Sequence, residues 1–240
     1  MRLTKHIPNT ITSMNLLCGA LGVIFTFQGA LDIAFYLMFA AAVCDFLDGF
    51  AARVFKAYSP MGKELDSLAD LISFGLLPSM MLHRRLVEGG MTGFISYIPL
   101  IIVVFSALRL AKFNVDNRQE ETFIGLPTPA CAMWCASLIY AADHGVMSMA
   151  NTLHDTYLIP VASVVLAFLL VSGIPMFSFK IKKESAYNRI RVWFLAVVAL
   201  FAVATLILKI NWSYIVLLTF TAYIVLNLLI ALFSIRKPTA

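Results

Sequence analysis

The reading of this chain turns on Asp45-Phe-Leu-Asp48-Gly49-Phe-Ala-Ala52-Arg53, followed after eight residues by Gly62-Lys-Glu-Leu-Asp66-Ser-Leu-Ala-Asp70. Four aspartates stand among residues that are otherwise mostly apolar. Ionised carboxylates are costly to bury unless a cation or a set of donors compensates them. Their spacing is helical. Asp45, Asp48 and Ala52 share one stripe of a first helix, and Gly62, Asp66 and Asp70 follow one another at i, i+4 on a second. Ser59-Pro60 supplies an N-cap and a first-turn proline for that second helix. If the two stripes face each other, four carboxylates converge. Like charges that close demand a partner. An all-oxygen set suits Mg²⁺, Mn²⁺ or Ca²⁺ better than zinc.

The small residues narrow the chemistry further. Gly49, Ala52 and Gly62 leave room for a substrate to approach the backbone, and Arg53 is a natural clamp for phosphate. Acids for metal, an arginine for phosphate and glycines for access describe a site for a phosphate-linked substrate. The competing reading pairs the acids with Arg53, Lys56 and Lys63 as helix-end charges at a membrane surface. It explains neither their spacing nor their number.

Composition sets the class. Hydrophobic residues make up 61% of the 240 and charged residues 13%, against about 25% charged in a soluble domain. This predicts an all-α, polytopic membrane helix bundle. No linker-like stretch divides the chain and no internal repeat is visible, so a single domain over 1–240 is expected. The apolar stretch after Met1–Pro8 reads as a retained first helix, because no small-residue cleavage site follows it. Cys18, Cys44, Cys131 and Cys135 all fall in apolar stretches and read as small buried residues. The four histidines show no metal-ligand spacing.

Eight helices are expected, over about 9–29, 32–56, 60–82, 94–115, 126–144, 156–178, 188–208 and 212–235, each near the ~20 residues that cross a bilayer core. With the N-terminus cytoplasmic, the inward segments collect fifteen of the 18 lysines and arginines; only Arg84, Arg85 and Lys209 fall outside. The positive-inside rule then places both termini and the aspartates on the cytoplasmic side. Basic loops beside an anionic leaflet account for the net charge of +5, so no nucleic-acid partner is implied. In the first helix, Thr12 and Asn15 are polar residues free to hydrogen-bond a ligand, or to serve capping and interhelical bonding. Arg109, inside an apolar helix, needs an anion or an aqueous cavity. An anionic group of a ligand, phosphate or carboxylate, or snorkelling to the interface would each serve.

Taken together, Asp45-x2-Asp48-Gly49-x2-Ala52-Arg53-x8-Gly62-x3-Asp66-x3-Asp70 resembles the complete signature of the CDP-alcohol phosphotransferase family. Three further segments, Ser67-Leu-Ala-Asp70-Leu-Ile-Ser-Phe-Gly75, Arg109-Leu-Ala-Lys112-Phe-Asn114 and Phe123-x-Gly125-Leu-Pro-x-Pro-Ala130, resemble its CDP-diacylglycerol–serine branch. Arginine is commoner where this chain has Lys112. The matching segments span about 7–131; the additional helices over about 132–240 match only in being apolar.

The resemblance implies an integral membrane enzyme moving a phosphatidyl group from CDP-diacylglycerol to the hydroxyl of L-serine, releasing CMP. It implies that Asp45, Asp48, Asp66 and Asp70 hold one or two Mg²⁺ or Mn²⁺ ions, and that Asp70 is the general base. It places Asp48, Gly49, Ala52, Arg53, Gly62, Asn15 and Thr12 at the nucleotide and diphosphate, and Arg109 and Asn114 at the acceptor. A homodimer is expected by the same analogy. Glycerol phosphate, inositol phosphate or choline as acceptor, an unusual donor lipid, and a membrane transporter are the alternatives. The grouping of the acids at one membrane side and the lack of an inverted repeat weigh against the last.

Overall fold

The structure, a computed structural model, describes residues 6–115, 122–144, 157–177, 188–207 and 211–235. Among the described residues there are eight helical rods. They are α1 (Ile7–Phe27), α2 (Leu31–Val54), α3 (Pro60–Glu88), α4 (Gly93–Val115), α5 (Thr128–His144), α6 (Leu158–Val171), α7 (Asn188–Ile207) and α8 (Ser213–Ile235). Two short strands, β1 (Thr122–Ile124) and β2 (Pro175–Phe177), complete the inventory. Rods α1 to α4, together with Ser213–Leu232 of α8, are long and apolar enough to cross a membrane. The architecture is a membrane helix bundle, as the composition requires. Of the basic segments used to orient the chain, 1–5, 116–121, 178–187 and 236–240 lie outside the described residues.

In a bilayer, lipid tails solvate apolar side chains as well as another helix does. Close packing through small residues therefore decides which helices touch. α1 shows how. A Cβ on Gly19 would stand 2.3 Å from Ser73 Oγ, and one on Gly22 would stand 2.6 Å from Leu77 Cδ2. These glycines let α1 lie directly on α3. The turn back into α2 is tight and uses Gly29 at φ 79°. The centre of the bundle is α5, where Cys131, Ala132, Cys135, Ala136 and Ala141 are all fully buried. Cys131 and Cys135 are the small core residues their apolar settings suggest, whereas Cys18 and Cys44, on α1 and α2 nearer the bundle surface, are only half-buried.

α3 is one rod with a π-helical segment at Leu71–Leu76. Its cause is local. Pro78 cannot donate to the carbonyl four residues back, and its ring crowds that carbonyl. A widened turn just before it absorbs both problems without a break. Gly75 sits inside that turn and lets Ser106 of α4 come close, 3.2 Å from where a Cβ would be. α4 opens as a 3-10 stretch over Gly93–Leu100, which contains Pro99.

The helix expected over 156–178 stops at Val171. Ser172, Gly173 and Pro175 end it, and 175–177 becomes β2 instead. This strand pairs antiparallel with β1, in the register Thr122↔Phe177, Phe123↔Met176 and Ile124↔Pro175. Pro175, at the strand's end, has no N–H to lose from the ladder. The turn after β1 is closed by Gly125 N–H donating to Ile174 O at 2.9 Å and Leu126 N–H donating to Leu169 O at 2.9 Å. Gly125 has φ 82°, and a Cβ there would lie 2.4 Å from Leu170 O. Only glycine fits that position.

Candidate active site

The site lies where α1 and α3 begin and α2 ends. Ser59 caps α3 by accepting the Gly62 N–H at 3.0 Å, with Pro60 in the first turn, so this helix starts where the cap and proline dictate. From there Asp66 falls opposite Asp45 and Asp48 of α2. One carboxylate oxygen from each of the three lies within 4.8 Å of the others. Asp70 is one turn deeper and stands apart from this group of three. It is 9% exposed and accepts a hydrogen bond from Asn15 Nδ2 at 3.3 Å.

α1 supplies the donors. Thr12 Oγ1 donates to Asp48 Oδ2 at 2.6 Å, and Asn15, fully buried, is held by Ser73 Oγ donating to its carbonyl at 3.0 Å. Thr12 and Asn15, candidates for the nucleotide from sequence, thus both point at carboxylates. Only Thr12 also lines the adjoining cavity. That cavity, about 190 Å³, is walled by Thr12, Asp48, Gly49, Ala52, Gly62 and Asp66, with Asn9, Tyr58, Ser59 and Lys63 among the other residues around it. Gly49 faces open space, whereas a Cβ on Gly62 would stand 2.9 Å from Asn9 Oδ1.

Arg53 is not among the residues lining the cavity. It is exposed at the end of α2 and its Nε donates to Gly49 O at 3.0 Å. Lys63 and Tyr58 line the cavity, which the sequence pattern does not by itself reveal. From sequence Lys63 reads as an inward-side charge or a partner for the aspartates, and its place next to Gly62 is the signal for the cavity. Asn114 joins α4 to α3, donating to Ser67 Oγ at 2.9 Å while its carbonyl accepts Lys63 Nζ at 2.8 Å. Arg109 is 8% exposed, donates through one terminal nitrogen to Thr128 Oγ1 at 2.6 Å, and leaves Nε without a partner. Asp70 and Tyr223 are within electrostatic reach of its guanidinium.

The donor set fits a hard divalent cation. Among the described residues no ion pair reaches the four aspartates, and Asp66 Oδ1 is buried with no hydrogen-bond partner. Metal–oxygen distances of about 2.0–2.6 Å put oxygen ligands of one ion roughly 3–5 Å apart. That range brackets the observed grouping. Four acids gathered with so few donors are far more stable with a cation between them than without.

Comparison with known proteins agrees with this geometry. The sequence model of a family described as CDP-alcohol phosphatidyltransferase matches residues 5–174. The chain is 34% identical over 185 residues to the CDP-diacylglycerol–serine O-phosphatidyltransferase of Bacillus subtilis, covering 77% of this chain and 96% of that one. To the Mycobacterium leprae protein of the same name it is 30% identical over 225 residues, covering 91% and 73%. To an archaetidylserine synthase of Methanothermobacter thermautotrophicus it is 31% identical over 150 residues, covering 60% and 62%.

Proposed function

The chain belongs to the CDP-alcohol phosphatidyltransferase family, and we propose that its reaction is phosphatidyl transfer from CDP-diacylglycerol to L-serine, giving phosphatidylserine and CMP. The observation that carries the reading is the group Asp45, Asp48 and Asp66, of which Asp48 and Asp66 line a cavity walled also by Gly49, Ala52 and Gly62. The relatives named for serine transfer support the choice of acceptor. An unusual donor lipid stays compatible with the same site, as the archaetidylserine synthase match illustrates.

In this reading Asp45, Asp48 and Asp66, with Asp70 beside them, hold Mg²⁺ or Mn²⁺, as one ion or two. When bound, the metal neutralises the diphosphate and the charge that develops on the transferring phosphoryl group. Thr12 keeps the Asp48 carboxylate turned toward Asp45 and Asp66. The small residues let the cytidine diphosphate lie against α2 and α3, and Lys63 stands at the rim for phosphate. Arg53 reaches the diphosphate by releasing Gly49 O, a rotamer change open to an exposed side chain. Asp70, held by Asn15, takes the proton of the serine hydroxyl as its oxygen attacks the phosphorus that bears diacylglycerol. The new P–O bond forms as the anhydride P–O bond to CMP breaks, and CMP leaves with that electron pair. Arg109 meets the carboxylate of serine, and Asn114 holds α4 at the register this contact needs. The protein sits in the cytoplasmic membrane, as a homodimer, with the aspartates and both termini inward; the distribution of basic residues supports that orientation.

The test is CMP release by the purified protein from CDP-diacylglycerol with Mn²⁺ or Mg²⁺, with and without L-serine. Serine-dependent release that a chelator abolishes is expected. Release with glycerol phosphate, inositol phosphate or choline in place of serine would overturn the acceptor assignment.

A further inference from the structure

α7 and α8 lie beyond the residues that the family model matches, yet α8 makes directed contacts that lead back to Arg109. Asn227, 1% exposed, accepts the Phe177 N–H on its Oδ1 at 2.9 Å and donates through Nδ2 to Tyr223 O at 2.8 Å. Tyr223, 3% exposed, donates its hydroxyl to Phe177 O at 3.1 Å. Both backbone polar groups of one strand residue are therefore held by side chains of a single helix. The Phe177 ring also packs edge-on against Tyr223 at 5.1 Å and against Phe194 of α7 at 5.7 Å.

Phe177 is the residue of β2 that registers with Thr122 of β1. β1 runs directly into the Gly125 turn, whose approach to Leu170 O leaves no room for adjustment. Three residues later comes Thr128, fully buried, which accepts the hydrogen bond of Arg109 at 2.6 Å. The Arg109 Nε has no partner, so the Thr128 hydroxyl is the hydrogen bond that fixes the guanidinium, with Asp70 and Tyr223 in electrostatic reach and the Phe113 ring 6.0 Å away. Buried polar groups held by such chains are geometrically stiff, because any slack leaves one of them unsatisfied.

We propose that Asn227 and Tyr223 are positioning residues for the acceptor. By fixing β2 they fix β1 and Thr128, and through Thr128 they hold the Arg109 guanidinium in the plane that receives the carboxylate of serine. This rests on the acceptor role proposed for Arg109. The fastening of α8 to the bundle core runs by another route, Trp134 Nε1 donating to Thr221 Oγ1 at 2.9 Å. Thr221 therefore offers a control that loosens α8 without touching β2, against which the effects of the core residue Tyr223 and of Asn227 can be judged.

The experiment measures KM for serine, KM for CDP-diacylglycerol, kcat and melting temperature for the full-length protein in detergent–lipid micelles. Asn227→Leu is expected to raise KM for serine about tenfold, and Tyr223→Phe about threefold, each near one hydrogen bond's worth of placement. KM for the CDP-lipid should stay within about twofold. Thr128→Val should reproduce the Asn227→Leu effect. Thr221→Val, which loosens α8 without touching β2, should lower the melting temperature and leave KM for serine unchanged. Arg109→Lys checks the premise: if it leaves KM for serine unmoved, the acceptor role of Arg109 is wrong. If Arg109→Lys and Thr128→Val raise KM for serine but Asn227→Leu and Tyr223→Phe do not, the positioning role alone is overturned. It is equally overturned if Asn227→Leu behaves like Thr221→Val, losing stability and kcat with no selective change in KM for serine.

Discussion

Replacing Thr12 by valine removes one oxygen and keeps the shape of the side chain. The Thr12 hydroxyl has two acceptors in reach, Asp48 Oδ2 at 2.6 Å and Pro8 O at 3.0 Å, and only one proton to give. The carboxylate is nearer and charged, so it takes the proton. Thr12 is 3% exposed and Asp48 is 6% exposed, and although both wall the cavity, valine leaves the carboxylate without its side-chain donor. A hydrogen bond to a charged group is worth about 1.5–3 kcal/mol, which is about ten- to a hundredfold in an equilibrium constant. Losing a group that orients a metal ligand costs about the same, 10–100-fold in affinity. Valine is well tolerated in an apolar helix, so the fold should survive.

Thr12→Val should therefore raise the Mn²⁺ concentration for half-maximal CMP release about ten- to a hundredfold. The same shift should be seen without turnover, in Mn²⁺ binding followed by electron paramagnetic resonance. If the binding midpoint moves less than about twofold in a variant that melts like the parent, Thr12 does not orient Asp48 toward a cation, and the assignment of this end of α1 is wrong.

Asp70→Asn should lower transfer by about 10²–10⁴-fold, the usual contribution of a general base, while labelled CDP-diacylglycerol still binds; turnover near the parental rate would remove Asp70 from that role. Gly125→Ala should lower the melting temperature by several degrees, since φ 82° and a Cβ 2.4 Å from Leu170 O cannot both be relieved; an unchanged melting curve would mean that the β1 turn relaxes freely. A Tyr58→Cys protein should react with a membrane-impermeant thiol reagent in inside-out vesicles and not in right-side-out ones, beyond the background of the native cysteines. The opposite pattern would reverse the orientation.

How much of this was legible depended on the range of each interaction. The aspartate stripes, the Ser59 cap and the run of apolar rods are local signals with a helical period, and they read directly from the residues. The hairpin did not. Residues 156–178 are apolar almost throughout, and a three-residue strand has no period to detect. Only Gly173 and Pro175 marked the break. The partners of Thr12 and Asn15 lie 36 and 55 residues away, so sequence offered two acceptable roles for each. The separation of Asp70 from the other three acids follows from its extra turn along α3, which a flat projection of the stripe conceals.

The face of α1 explains why the four acids are not equivalent. Thr12, Asn15, Gly19 and Gly22 are all buried and follow one another at helical spacing along one stripe. At the site end this stripe carries donors, one to Asp48 and one to Asp70. Further along it carries glycines, which set how closely α1 approaches Ser73 and Leu77. Ser73 in turn holds the Asn15 carbonyl, so the glycine contact also fixes the height of Asn15 against Asp70. Among the described residues no side-chain donor reaches Asp45, and Asp66 keeps a buried oxygen unpartnered. The protein thus orients two carboxylates from within and leaves the facing pair for something it does not itself supply. Filling that gap with a fifth side chain would have made the site more stable and closed it to a cation. The unsatisfied oxygen of Asp66 therefore argues for a site kept open to an exchangeable ligand, on the side where the cavity lies.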